Sequence, residues 1–206
     1  MATEPGRRRR STPERTREHL LDSAAEVLRE LGMARATTKE IARAAGYSEA
    51  TLYKHFTDKS DLLLAVMRHR FPPFVEVLAE LPGRVGREDV RGTLLDLVPR
   101  AVAFYRHGAP MLGSLFADPG LLARHRGGMA GHGAGPLNVN RALAAYLDDE
   151  RALGRLPAGV DPGSAASLLV GACFQRGFLE AFLGHDDDFP PVELHAAELV
   201  DTLLGA

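Results

Sequence analysis

Apolar residues recur along most of this chain at spacings of three and four, the pattern of helices that bury one stripe. The first stripe is Leu20, Ala24, Val27, Leu28 and Leu31. Thr12 suits its cap, Pro13 and Glu14 its first turn, and Gly32 its stop. Thr37 and Glu40 have capping-box spacing and open a second helix carrying Ile41, Ala42 and Ala45, which Gly46 breaks. Ser48 caps a third helix that runs to about His55. Asp58 caps a fourth from Lys59 to about His69, with Asp61 favouring its positive end and Pro72–Pro73 ending it. These four helices predict a compact head with a connector.

Beyond residue 70 the pattern is coarser. Residues 88–107 read as a helix carrying Leu94, Leu95, Val98, Val102 and Tyr105, kinked at Pro99. Residues 109–117 and 119–126 read as two short helices joined around Asp118–Pro119. Five glycines between Gly127 and Gly135 predict a mobile loop. A helix over 136–153, a linker GRLPAGVDPG, the most apolar helix of the chain over 162–183, and a last helix over 191–204 complete the reading. The 162–183 helix is apolar on more than one face, and Gly171, Ala172 and Gly177 permit close backbone approach. Strand-forming runs are scarce and no repeat is visible, so the expected class is all-α.

Composition narrows the picture little further. Of 206 residues, 45% are hydrophobic, enough for a real core. Cys173 is the single cysteine, which excludes an intramolecular disulfide framework and suits a reducing cytoplasm. The basic N-terminus has no apolar core behind it, so it does not read as a signal peptide. No apolar run was expected to reach the ~18–20 residues that span a bilayer, so a cytoplasmic protein without a membrane partner is predicted. The net charge of −2 hides an asymmetry: residues 1–60 hold 12 Lys+Arg against 9 Asp+Glu, and the remainder holds 13 against 18. A basic head on an acidic body suits a polyanionic partner, although Arg7–Arg10 alone create the excess.

The head carries the candidate chemistry. A helix-turn-helix needs a small residue at its crossing, a glycine-like turn and a cap before its second helix; Ala42, Gly46 and Ser48 fit those roles. Ile41 and Leu52 close the small core between the helices. The second helix then presents Glu49, Ala50, Thr51, Tyr53, Lys54 and His55. Ser48, Ala50 and Thr51 are short enough for base edges. Tyr53, Lys54, His55 and Lys59 suit phosphates, and Thr38 with its helix N-terminus suits a phosphate on the other side. Tyr53 has two readings, a ring packed into the core or a hydroxyl on a phosphate. Glu49 either accepts from a cytosine amino group or points to solvent. Arg7–Arg10 either enter an adjacent minor groove or form a solvated tail.

Thr37–Thr38, Ile41–Ala42, Ala45–Gly46, Ser48, Thr51–Leu52–Tyr53, His55–Phe56, Lys59 and Leu62–Leu63 together resemble the N-terminal signature of TetR-family transcriptional regulators, over roughly residues 14–66. The resemblance implies a flexible arm over 1–12, a three-helix DNA-binding domain over 13–58, and a ligand-binding and dimerisation domain over 59–206 whose first helix, 59–70, is the connector. It implies a recognition helix over 48–55, with Glu49, Ala50 and Thr51 facing the groove and Thr38, Tyr53, His55 and Lys59 on the DNA backbone. It implies a homodimer on a near-palindromic double-stranded operator. The 162–183 helix and the last helix (Leu194, Leu199, Leu203) would pair the protomers as a four-helix bundle. The function implied is a ligand-responsive regulator, a repressor released by a small hydrophobic effector. The alternative is a helical small-molecule-binding protein without specific DNA binding.

For the effector, Phe104, His107, Met111, Phe116, Tyr146, Phe174 and Phe178 are candidate pocket residues, each equally at home in plain core packing. Arg176 or Gln175 would orient a polar ligand group or make an interface salt bridge. No metal or cofactor is expected: His125 and His132 flank the glycine-rich loop and His185 precedes Asp186–Asp188, without a recognised ligand spacing. The glycines of 127–135 lack a following Gly-Lys-Ser/Thr, and Gly113–Ser114 lacks the second glycine of a nucleophile elbow. No enzyme and no catalytic residue are therefore expected.

Overall fold

The computed structural model describes residues 12–32, 35–70, 74–130 and 135–205. The Arg7–Arg10 arm lies outside them, as do His132 and most of the glycine-rich loop. The described residues are all-helical, without strands, and divide into two compact units, Met1–Arg70 and Phe71–Ala206.

The first unit holds α1 (Pro13–Leu31), α2 (Thr38–Ala44), α3 (Glu49–Leu52) and α4 (Lys59–His69). Each start is set by a local cap. The hydroxyls of Thr12, Thr37 and Ser48 and the carboxylate of Asp58 accept the amides of Arg15, Glu40, Thr51 and Asp61. Thr37 and Glu40 form the reciprocal capping box, and the two hydrogen bonds from Thr37 hold the Glu40 carboxyl below its ordinary range. At Gly46 the backbone is left-handed (φ 72°), so that the Gly46 and Tyr47 amides turn back to Arg43 and Ala42 carbonyls at 3.0 and 2.9 Å. This is the αL stop that glycine adopts without strain. Leu20, Leu21, Ala24, Ile41, Leu52, Phe56 and Leu62 fill the core of the unit. Arg70, just past α4, ties that helix to α1: its guanidinium meets Asp22 at 2.8 Å and also the Glu18 carboxylate.

One expectation is corrected here. The third helix was expected to reach His55, but α3 ends at Leu52. The Lys54 and His55 amides instead make tighter bonds to the Thr51 and Leu52 carbonyls, and this turn delivers Phe56 into the core.

The second unit holds α5 (Phe74–Arg84), α6 (Val90–Ala117), α7 (Pro119–Ala130), α8 (Pro136–Ala152), α9 (Pro162–Leu183) and α10 (Val192–Leu204). α6 packs on α9 and α10, and α8 packs on α9 and α5. α6 is one helix of 28 residues rather than two, and it runs through Pro99 and Pro110. Each interior proline costs about 3 kcal/mol or more. Leu94, Leu97, Val98, Ala101 and Val102 are all buried along the same helix, at about 1.5–3 kcal/mol for each of the larger side chains. Burial outweighs the proline cost. α5 was not anticipated, although Phe74, Val77, Leu78 and Leu81 are buried at helical spacing. α7 continues to Ala130, four residues further than expected and into the glycine-rich stretch.

α9 lies close against the backbone of α6 at Gly177. A Cβ there would lie 2.6 Å from the Arg106 amide nitrogen and 2.7 Å from the Val102 carbonyl oxygen. The inner face of α9 is Ala165, Ala166, Leu169, Val170 and Cys173; its outer face shows Leu168, Phe174, Phe178 and Phe182. Contrary to expectation, α9 is by length and composition apolar enough to cross a membrane. The inner face nonetheless carries a buried ion pair, Arg176 with Glu180, characteristic of a core helix whose charges find partners.

Candidate nucleic-acid interface

The two short helices of the first unit gather most of the candidate DNA-contacting side chains at one surface. Ser48 is exposed; its Oγ accepts the Thr51 amide at 3.2 Å and lies 2.9 Å from Thr51 Oγ1. The pair of short hydroxyls is thereby held together at the start of α3, beside the exposed methyl of Ala50. Such small groups let a backbone approach base edges. Tyr53 is 49% exposed, so its ring is not core, and Lys54 is exposed beside it. His55 and Lys59 are half-buried.

Thr38 is buried at the start of α2, and its hydroxyl donates to Glu49 Oε1 at 2.5 Å. The Tyr53 hydroxyl lies 3.3 Å from the same Thr38 oxygen. Glu49 therefore does not point to solvent, one of its two expected placements; it turns back onto α2. The reason is local. Glu49 and Tyr53 stand one turn apart on α3, on the side that packs against α2. A sequence-based reading passed over Tyr47, half-buried, whose ring meets His19 edge-on at 6.0 Å.

In the second unit the seven candidate pocket residues do not share one place. Phe104 joins a chain of rings that runs from Phe74 through Phe104 and Tyr105 to Phe174, Phe178 and Phe182, with neighbouring centroids 5.4–6.3 Å apart. Met111 is buried, His107 is exposed and Phe116 is 68% exposed. Tyr146 is buried apart from that chain, near Thr93 and Glu150. Phe74 and Tyr105 are members of the ring chain that the sequence reading missed as candidates. Burial pushes the Tyr105 hydroxyl and the Cys173 thiol each up to about 12, so both stay protonated at neutral pH.

Arg176 is engaged within its own chain. It pairs with Glu180, donates to the Pro190 carbonyl at 2.8 Å and stacks 4.4 Å over Phe189. Arg106 lies 3.5 Å from the same Glu180 carboxylate. Gln175 is exposed. Among the described residues no three His, Cys, Asp or Glu side chains gather as a metal site.

The family model for bacterial regulatory proteins of the tetR family matches residues 20–66. The fatty acid metabolism regulator protein of Bacillus subtilis is 31% identical over 61 residues, 30% of this chain and 31% of that protein. The curated relatives that the chain matches are covered over only 26% to 43% of their own length. Likeness of fold extends much further. The crystal structure of a TetR-family transcriptional regulator from Mesorhizobium loti superposes with a TM-score of 0.72 at 22% identity, covering 95% of this chain and 98% of that one. The Bacillus subtilis regulator FadR in complex with stearoyl-CoA superposes with a TM-score of 0.64 at 14% identity, covering 91% and 97%. Identities this low carry the fold alone. The motif match falls on the capped helix pair that holds Thr38, Ser48 and Tyr53: residues 20–66 match the model of the tetR family of bacterial regulatory proteins, and the rest of the chain shares the helical fold of those structures.

Proposed function

We propose that the protein is a ligand-responsive, sequence-specific transcriptional regulator, acting inside the cell as a homodimer and released from a palindromic operator by a small hydrophobic effector. One observation carries the reading: a serine-capped helix presents short hydroxyls and a methyl to solvent, flanked by an exposed tyrosine and lysine, within the tetR-family match. In this reading Ser48, Ala50 and Thr51 approach base edges. Thr38, Tyr53, Lys54, His55 and Lys59 hold phosphates and set register.

A single head reads one half-site, so two copies are needed with their recognition helices ~34–36 Å apart. The outer face of α9 and the exposed Leu194 of α10 supply an apolar surface for the second copy. The rings of Phe74, Phe104 and Tyr105 support a hydrophobic effector, and the fold is shared with a protein that binds stearoyl-CoA. An effector that binds better to one spacing of the heads shifts the dimer away from DNA by its differential affinity.

The test is duplex binding by fluorescence anisotropy at two salt concentrations. Tyr53→Ala and Lys59→Ala should weaken binding to every duplex, and Lys59→Ala should reduce the salt slope by about one. Unchanged affinity in both variants refutes their phosphate role, and a wild-type protein that retains no duplex at low salt refutes the reading as a whole.

A further inference from the structure

Three polar side chains meet where α2 and α3 pack, with Thr38 buried, Glu49 half-buried and Tyr53 exposed. Thr38 opens α2, Glu49 opens α3, and Tyr53 closes α3 one turn later. A threonine hydroxyl has one proton to give. Thr38 gives it to the Glu49 carboxylate at 2.5 Å, while the Tyr53 hydroxyl stands 3.3 Å from the same oxygen. A carboxylate oxygen and a phosphodiester oxygen are the same kind of partner for these hydroxyls, an anionic acceptor. Two such acceptors cannot take the same proton.

Glu49 also differs from three other carboxylates of the head. Glu18 and Asp22 are neutralised by Arg70, and Glu40 is held inside its capping box. Among the described residues no cation pairs with Glu49; only the Thr38 hydroxyl holds it. Its negative charge therefore lies at the surface proposed for a polyanion.

We infer that Glu49 is an internal brake on DNA binding: its carboxylate occupies the Thr38–Tyr53 hydroxyl pair in place of a DNA phosphate oxygen, and it must swing out before a duplex can seat. This rests on the DNA-binding reading and adds to it a residue that lowers affinity without regard to sequence. The brake acts twice in a dimer, once at each head. Weaker holding at every site shortens residence on non-operator DNA, where phosphate contacts supply nearly all of the affinity.

The experiment uses the full chain and random-sequence duplexes, with Kd measured by fluorescence anisotropy at 50 and 200 mM KCl. Glu49→Gln removes the charge and keeps the shape; Glu49→Ala removes both. Both variants should bind every duplex about tenfold or more tightly at low salt, with a smaller gain at high salt. The gain should need the freed hydroxyl, so Glu49→Gln in a Thr38→Val background should gain less than threefold. Four results overturn the proposal. Unchanged or weaker binding by both Glu49 variants shows that the carboxylate does not compete. A change confined to duplexes with a particular base pair makes Glu49 a base reader. A gain that persists undiminished in the Thr38→Val background reduces the effect to bulk charge. Failure of the wild type and all variants to bind any duplex at low salt removes the DNA-binding reading as well, which the first three results leave standing.

Discussion

Gly177 offers the sharpest test of how the body is held together. It sits on α9 where that helix crosses α6, and a Cβ would lie 2.6 Å from the Arg106 nitrogen, 2.7 Å from the Val102 oxygen and 2.9 Å from the Tyr105 Cβ. The first two are backbone atoms, so no side chain can rotate away. Restoring an ordinary contact near 3.4 Å requires the helices to part by about 0.8 Å at the crossing, in a core packed to crystal-like density. Inserting one carbon under such conditions costs about 1–3 kcal/mol and more where backbone must move. Gly177→Ala gains about 1 kcal/mol of helix propensity against this. The crossing binds the largest pair of helices in the unit, so strain spreads along both; a net loss of about 2 kcal/mol is expected, or about 4–8 °C in Tm for a chain of this size. Gly113→Ala on α6 is the matched control. Nothing lies within 4 Å of its added carbon, and it should gain about 0.5–1 kcal/mol. Urea denaturation followed by circular dichroism reads both. If Gly177→Ala is as stable as the wild type, the close approach does not constrain the body and the packing argument fails.

Two further outcomes are expected. Phe178→Glu should turn a dimer into a monomer in sedimentation velocity, because it places a charge in the middle of the outer apolar face of α9; a variant that sediments like the wild type shows that the dimer forms elsewhere. His195 bears on pH. Burial and the facing Arg176 guanidinium lower its pKa below 6.5, while Glu180 and Glu198 pull the other way more weakly. The unfolded chain therefore takes up this proton first, and the stability His195 contributes is fully present above about pH 6.5 and lost as pH falls toward its folded pKa. His195→Leu should lose less stability than the wild type between pH 7.5 and 5.5. Equal slopes for the two proteins would contradict the burial of that imidazole in its neutral form.

The helix starts of the head were legible because caps are local: Thr12, Thr37, Ser48 and Asp58 each satisfy an amide within three residues. The stop at Gly46 was legible for the same reason. α5 was missed because Pro72, Pro73 and Pro82 drew attention from the spacing of Phe74, Val77, Leu78 and Leu81. α6 was broken too early because proline is a local signal, whereas the burial that overrides it comes from α9 and α10. The Arg176–Glu180 pair has i,i+4 spacing and was open to discovery; without knowing which face of α9 lies inward, the arginine reads as available to a ligand or partner.

The sequence by itself determined the all-helical class and the motif surface of the head, since both depend on spacings of a few residues. Tertiary structure alone decided that Tyr105 meets Phe174, that Gly177 lies against backbone, and that Glu49 takes the proton of Thr38. Each of those depends on a partner eleven or more residues away, brought close only when the apolar stripes of separate helices are buried together.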